Sequence, residues 1–417
     1  MISSILSTGT ELLFGQVVNT NTSYLTKELN TIGHDVFYHF TVGDNLNRMK
    51  EILLYALEKS DIVIITGGLG PTQDDITREL VSEIMEEELI IDKDSLIHIE
   101  KFFTKINKVM TENNIRQAYL PKNSIVLENE IGTAPGFIVE KNGKIIVCLP
   151  GPPKEMIHMF KHKALVFLKS KTEFVIYWKL LRFFGIGESS LENELMDLIT
   201  KQKDPTIATY VKEGEVMVRV TSKKKTMEEA KISVEGMCEQ IKNRIGEYLY
   251  SEDDQELVSV VVKSLMENNI SLSSAESCTG GLFASAITDI PGASAIFNRG
   301  IIAYCDEAKI SELNVDPNII EKFGAVSFET AKAMVLGLKK KTGSRICISV
   351  TGIAGPTGGS IDKPIGLVYI ALIFDGELHC EEFKLRSGAR QWIRGYTVLL
   401  MLNMILKILK EKKLITI

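Results

Sequence analysis

Histidine is scarce in this chain, and it is unevenly spread. Of six histidines in 417 residues, His379 alone lies beyond residue 254. It sits among Glu377, Glu381 and Glu382, a polar stretch that supports a Ser-His-Asp triad poorly. Cysteine is sparse as well. The six thiols stand at 148, 238, 278, 305, 347 and 380, with no Cys-x-x-Cys pair. That excludes a disulfide framework and a zinc ribbon, and it suits a reducing, cytoplasmic setting. Positive charge is not in excess. The formal net charge is -6, which gives no general attraction to nucleic acid or anionic lipid. The longest apolar run, "YTVLLMLNMILKIL", is interrupted by Asn403 and Lys407. It reads as a buried terminal helix, and no membrane span is expected. The start "MISSILSTGTELL" lacks a basic region and a long apolar core, so it does not read as a signal peptide.

The composition is that of a globular protein, 45% apolar and 24% charged. Single cores stop growing near roughly 250–300 residues, so at least two domains are expected. The overall class is α/β. In residues 1–170, strand-like and helix-like stretches alternate, which predicts a parallel sheet with helices on its faces. "NTSYLTKELNTIG" predicts a helix capped by Asn21 or Thr22. "DIVIITGG" predicts a buried strand. Residues 171–250 predict a small α+β module whose helix "GESSLENELMDLI" is capped by Ser189 or Ser190. "YLYSEDDQEL" reads as a polar bridge. Residues 254–417 alternate again: strand "ISLSSAES", helix "GLFASAITDI", strand "RGIIAYC", strand "RICISVTG", and a hairpin turning at Asp375-Gly376. A final helix spans about 390–412.

Ligands in such sheets sit at the carboxyl ends of strands. There the first part carries "GTELLFGQVVNTN", "VGDN" and "TGGLGPTQDD". Thr66, Gly67, Gly68 and Gly70 expose backbone N–H groups able to cradle phosphate. Asp74 and Asp75 are expected on the first turn of the next helix. There they either favour the helix dipole or, with Asp44, hold a divalent metal on a bound pyrophosphate. Glu11 and Asn19 join the same cluster. In "LPGPPKEM", Lys154 or Glu155 reaches a ligand, or Pro153 simply starts a helix. His158 and His162 stand four apart on one helix face. With no third ligand beside them, they read as solvated.

These motifs, with "GTAPGF", resemble the molybdopterin-binding-type domain of the CinA, or competence/damage-inducible, family. The resemblance implies a three-layer α/β domain with a metal-dependent ADP-ribose pyrophosphatase site, the metal being a divalent ion. Asp44 and Asp75 match the acidic pair of the related cofactor enzymes. The alternative is a site that binds a molybdopterin-like ligand without chemistry. "FFGIGESSLENEL", "PTIATY" and "GEVMVRVT" resemble the KH-type insert of the same family. True KH domains grip nucleic acid with a GXXG loop. Here the glycines of 171–250 stand at 185, 187, 214, 236 and 246, no two of them three apart. The segment also holds 13 basic and 13 acidic residues. A spacer and homodimerisation element is expected, not a nucleic-acid binder.

The last part poses a sharper question in "SSAESCTGG", residues 273–281. A strand ends and a helix begins there, a geometry that exposes Ser277, Cys278 and Thr279 beside helix N–H groups. A serine nucleophile needs a base. With no suited histidine, the remaining candidate is a lysine whose pKa is lowered by burial or neighbours. Lys309, in "RGIIAYCDEAKISEL", is the candidate, either as that base or as a solvated helix lysine, and Tyr304 precedes it. Cys278 is the rival nucleophile. "AESCTGG", "RGIIAYCDEAK", "GAVS", "SVTGIAGPTGG" and "KPIGLVYIAL" resemble the CinA C-terminal domain, a Ser/Lys nicotinamide-nucleotide amidase. The resemblance implies Ser277 as nucleophile, Lys309 as base, Tyr304 beside it and Thr351 assisting. It implies nicotinamide mononucleotide as substrate and no cofactor. Backbone N–H groups around Cys278, Thr279, Gly280 and Gly281 are expected to hold the oxyanion. Gly352, Gly355, Gly358 and Arg390 are expected to bind phosphate or ribose. Where the family often has Ser-Asn, this chain has Cys305-Asp306. A competence- or repair-associated interaction protein is the remaining alternative.

Overall fold

The computed structural model describes residues 1–212, 214–386 and 388–415. The chain divides into two compact units, Met1–Tyr177 with Ser222–Ser233 and Trp178–Thr221 with Val234–Ile417.

In the first unit, β1 (Ile2–Thr8) is followed by the short α1 (Thr10–Leu13) and by α2 (Thr20–Thr31). Then come β2 (Asp35–Val42), α3 (Leu46–Lys59), β3 (Ile62–Thr66), α4 (Thr77–Met85), β4 (Leu89–Ile91) and α5 (Lys93–Lys105). The remaining elements are β5 (Tyr119–Pro121), β6 (Ile125–Leu127), β7 (Gly136–Lys141), β8 (Lys144–Leu149), α6 (Pro153–Met159) and α7 (Leu165–Lys169). The main sheet has the order β2-β1-β3-β8-β7-β6, and β4 pairs with β5 apart from it. The four strands β2, β1, β3 and β8 run parallel. All five residues of β3 are buried, as a central parallel strand with both faces covered requires. Ile5, Ile64 and Val147 pack with Leu25, Leu29 and Phe160 on one face. Leu6, Val63 and Ile146 pack with Met49, Leu53 and Leu80 on the other. The result is the expected three layers. Asn19, rather than Asn21 or Thr22, caps α2, its side chain accepting from the Thr22 N–H. Asn21 is buried and donates to Thr66 Oγ1 and Gly151 O.

The middle module comprises β9 (Val175–Phe184), α8 (Glu188–Lys201), β10 (Thr206–Lys212), β11 (Glu215–Lys224), α9 (Met227–Ile245) and β12 (Leu249–Ser251). Its strand order is β10-β11-β9-β12. Ser189 and Ser190 lie inside α8, whose start has no side-chain cap. The expected polar bridge contains β12, which pairs antiparallel with β9. Phe184 and Tyr250 belong to one hydrophobic cluster with Leu257, Ile393 and Leu400. That shared core corrects the spacer expectation: this part of the module is packed against the C-terminal residues of the chain.

The last elements are α10 (Leu257–Glu267), β13 (Leu272–Glu276), α11 (Leu282–Thr288), β14 (Phe297–Ile302), α12 (Asp306–Leu313), α13 (Pro317–Phe323) and α14 (Phe328–Thr342). They end with β15 (Ile346–Gly352), β16 (Leu367–Phe374), β17 (Glu377–Lys384) and α15 (Arg390–Glu411). The sheet order is β14-β13-β15-β16-β17. Asp375 and Gly376, at φ 46 and 96, make the turn between β16 and β17. α15 is apolar enough to cross a membrane by length and composition, yet most of its apolar stretch is buried, with Met401, Ile405 and Leu409 in the core.

Candidate active site

In the second unit the register builds the site. β13 runs parallel to both neighbours, with Glu276 opposite Ile302 on one side and Val350 on the other. The next residue, Ser277, therefore leaves the sheet level with Ala303 and Thr351. Its N–H donates to Val350 O at 3.1 Å, and the Ala303 N–H donates to Glu276 O at 2.8 Å. Gly280 and Gly281, at φ 57 and 92, then turn the chain into α11, a conformation glycine adopts without strain. Ser277 retains 7% exposure.

Two residues to which the sequence assigned no role hold this turn. The buried Glu276 carboxylate accepts from the N–H groups of Gly281, Phe283 and Ala284 at 2.9, 3.1 and 2.9 Å. Arg394 of α15 donates to Cys278 O at 3.1 Å and Thr279 O at 2.6 Å. Glu276 thus corrects the expected oxyanion donors. The Gly281 N–H is taken, and the Gly280 N–H donates to Ser277 O. Among the described residues, the N–H groups of Cys278 and Thr279 have no oxygen acceptor in this turn and face the Cys278 sulfur instead. Thr279 is fully buried, and its hydroxyl has no partner there either.

Lys309 is 1% exposed. Its Nζ donates to Tyr304 O and Cys305 O at 3.3 Å and to Asp306 Oδ1 at 3.4 Å. Among the described residues it makes no hydrogen bond to Ser277. Tyr304 meets Lys309 through its carbonyl. Its hydroxyl, on an exposed side chain, accepts from Arg390 Nη2 at 2.6 Å. Arg390 also donates to Gly355 O at 2.7 Å, which ties the glycine-rich loop to Tyr304. Thr351 is buried and donates to Ala325 O at 2.7 Å. Gly352 lies against Cys278, where an added Cβ would stand 3.2 Å from Sγ, whereas Gly358 faces open space. Cys278 is buried, and desolvation pushes its thiol up to about 12. At neutral pH it is protonated and a poor nucleophile. His379 lies on β17, the edge strand, with β15 and β16 between it and β13.

In the first unit the strand ends surround a cavity of about 450 Å³. Glu11, Asp44, Asp74, Asp75 and Glu155 all line it, with Gly67, Gly68 and Gly70. Of the described residues around it, none is lysine, arginine or histidine. Asp74 and Asp75 precede α4 instead of lying on its first turn. Asp75 Oδ2 accepts from the Thr72 N–H and hydroxyl at 2.9 and 2.6 Å. Asp44 Oδ2 accepts likewise from Thr10 at 3.0 and 2.9 Å. Each keeps its other oxygen free of hydrogen bonds among the described residues. The glycines are sterically required: a Cβ on Gly67 would meet Thr8, on Gly68 Thr77, and on Gly70 Asp75. Arg78, also missed, is buried and holds the loop through Leu69 O and Gly70 O. Asn19 and Thr66 line a neighbouring cavity of about 340 Å³, with Glu11 on the wall common to both. Lys154 lines neither cavity, and Pro153 opens α6. The rings of His158 and His162 lie 4.6 Å apart beside Glu130. Among the described residues, no three His, Cys, Asp or Glu side chains are grouped closely enough to cage a metal on their own.

Three family models match the chain in series. Residues 4–170 match a probable molybdopterin binding domain, 178–251 the damage-inducible protein CinA KH domain, and 254–409 the CinA C-terminal domain. A protein of Acetivibrio thermocellus named for competence-damage induction is 49% identical over 99% of this chain and 100% of its own length. A CinA-like protein of Dictyoglomus turgidum is 48% identical over 96% of this chain and 97% of its own. Among solved structures, the competence/damage inducible protein CihA from Agrobacterium tumefaciens is 38% identical, covering 36% of this chain and 92% of its own, with a TM-score of 0.36.

Proposed function

The chain belongs to the CinA family, and from that premise we propose that it is a two-headed nucleotide hydrolase of pyridine-nucleotide salvage. The C-terminal head deamidates nicotinamide mononucleotide to the nicotinate form and ammonia. The observation that carries this reading is a nearly buried serine at a strand-to-helix turn, level with the neighbouring strand ends, with a buried lysine just beyond one of them and the only histidine of that part on the far edge strand.

Ser277 Oγ attacks the carboxamide carbon, and its proton passes to the Lys309 amine. This requires the Lys309 side chain to swing from the oxygens of Tyr304, Cys305 and Asp306 towards Ser277, as catalytic hydrogen bonds commonly tighten only around substrate. The N–H groups of Cys278 and Thr279 stabilise the oxyanion. The C–N bond then breaks, and the Lys309 ammonium returns the proton to departing ammonia. Water attacks the acyl-enzyme, Lys309 accepts its proton and passes it to Ser277 Oγ, and the acid is released. Arg390, beside Tyr304 and Gly355, supplies positive charge for the phosphate. Glu276 and Arg394 keep the turn in place.

The N-terminal head splits ADP-ribose to AMP and ribose 5-phosphate. Five carboxylates without a lining cation repel a pyrophosphate, so a divalent cation is required to bring the two together. The free oxygens of Asp44 and Asp75, with Asp74, would hold it. The incomplete protein cage fits an ion such as magnesium, which usually takes one or two carboxylates and completes its shell with water and substrate phosphate. Such an ion would supply charge neutralisation at the phosphate oxygens, making the phosphorus open to attack by water. The loop at Gly67–Gly70 positions the ligand. Purified full-length chain, given each nucleotide with and without chelator, tests both heads. Ammonia release should ignore chelator, and AMP release should require the metal. Equilibrium binding of a pterin with no turnover of ADP-ribose would favour a binding role for the N-terminal domain.

A further inference from the structure

The chain from the end of α13 towards α14, residues 323–326, is held by side chains. Each of its four carbonyls accepts from one. Lys363 Nζ donates to Phe323 O at 2.6 Å and to Val326 O at 2.8 Å. Ser327 Oγ and Thr330 Oγ1 donate to Gly324 O at 2.9 and 2.8 Å. Thr351 Oγ1 donates to Ala325 O at 2.7 Å. Among the described residues, no backbone N–H reaches any of the four. Backbone carbonyls need partners, so these side chains set the conformation of the loop.

Ser327 and Thr330 are local to the loop. Thr351 and Lys363 reach in from elsewhere, the first near the end of β15 and the second from the loop that leads on to β16. The Lys363 turn is itself fixed. The Ser360 N–H donates to Lys363 O at 2.8 Å, and the Lys363 N–H donates to Ser360 Oγ at 3.0 Å. Gly324, at φ 82, leaves room for the Lys363 head, because a Cβ there would stand 2.8 Å from Nζ. The other part of the glycine-rich loop has its own anchor, Arg390 on Gly355 O. A threonine hydroxyl has one proton and two lone pairs. With its proton on Ala325 O, Thr351 keeps only acceptor capacity, at the level where Ser277 leaves the sheet.

We propose that Lys363 is a positioning residue of the amidase site. It fixes Ala325 O through the carbonyls on both sides of it, and so holds the Thr351 hydroxyl as an acceptor for the carboxamide NH2 that leaves as ammonia. With one N–H held, the nitrogen keeps its lone pair turned towards the Lys309 ammonium that protonates it. Lys363 acts through Thr351 and touches no substrate. The clamp stands on the geometry alone. Its effect on turnover rests on the amidase reading.

Lys363→Met in the full chain keeps most of the stem and removes the donor. With no nucleotide present, hydrogen exchange over residues 323–331 and 353–366 should quicken in this variant, and exchange in the first unit should not change. In the ammonia-release assay kcat should fall about tenfold to a hundredfold, the range for a displaced group near the chemistry. KM should stay within about twofold, because Arg390 still holds the phosphate side. Thr351→Val should show a similar loss of kcat. Adding Lys363→Met to it should cost less than about twofold more, since both changes act through one hydroxyl. Unchanged exchange in Lys363→Met would overturn the clamp, whether or not the chain releases ammonia. A raised KM with kcat intact would make Lys363 a phosphate contact, and fully additive losses in the double variant would separate it from Thr351; either result would overturn the positioning role. A wild-type chain that releases no ammonia would remove the effect on turnover together with the amidase reading, and the clamp would stand or fall by exchange.

Discussion

Replacing Glu276 with glutamine tests how the Ser277 turn is held. The wild-type carboxylate takes three backbone N–H bonds and is 1% exposed. Hydrogen bonds to a charged group contribute about 1.5–3 kcal/mol each. The amide keeps one acceptor oxygen but turns an NH2 towards at least one N–H. One bond is lost and the others lose their charge assistance. Gly281 and Ala284 are part-buried, so water recovers some of the deficit. The net cost should be about 2–4 kcal/mol. For a unit of this size, each kcal/mol moves the melting temperature by about 2–4 °C. Glu276→Gln should therefore melt roughly 4–16 °C lower, and Glu276→Ala lower again because three donors lose their partner. Thermal unfolding followed by circular dichroism, with urea titration as a check, measures both. A glutamine variant within about 0.5 kcal/mol of wild type, the range of neutral surface changes, would mean that the carboxylate is not what holds the turn.

The same geometry sets other outcomes. Asp75→Asn should abolish metal-dependent ADP-ribose cleavage and leave ammonia release intact, since the two sites lie in separate units; full cleavage in excess chelator would remove the metal from the account. Cys305 is exposed, whereas Cys278 is buried with its thiol near 12. Iodoacetamide at pH 8 should therefore modify Cys305 first, as peptide mass mapping would show. The sign of the pH effect is fixed too. The folded Cys278 thiol ionises above its unfolded value, so its contribution to stability is complete below about 8.5 and is lost as pH rises towards about 12. Cys278→Ala should flatten the decline in stability across that window, and an unchanged slope would count against the burial argument.

How much could be read from the sequence depended on the reach of each interaction. "DIVIITGG" and "LSSAES" were legible as central strands because both faces are covered and the runs are apolar or small. Asp375-Gly376 was legible because the turn needs positive φ at both residues. β10 was not, since "TIATYVK" is half exposed and only its pairing with β11 makes it a strand. The site divides in the same way. Ser277, Lys309 and the acidic loops stand where strand ends place them, and local pattern finds strand ends. Arg394 and Arg78 were missed because they act on backbone carbonyls, which carry no sequence mark. Arg394, moreover, lies 116 and 115 residues from the carbonyls it holds. Glu276 was visible but ambiguous. A carboxylate before a helix is usual enough, and only the fold shows it consuming N–H groups that an oxyanion was expected to use. Tyr304 meets Lys309 through its carbonyl, a contact that side-chain chemistry read from the sequence does not indicate.

The most direct test of the central claim is the rate of ammonia release from nicotinamide mononucleotide by three single variants of the full chain. Ser277→Ala and Lys309→Ala should each lose several orders of magnitude, by similar factors, because nucleophile and base act as a unit. Cys278→Ala should keep most of the wild-type rate. Loss of activity in Cys278→Ala with turnover surviving in Ser277→Ala would make the thiol the nucleophile, and a near-normal rate in Lys309→Ala would remove the lysine as base.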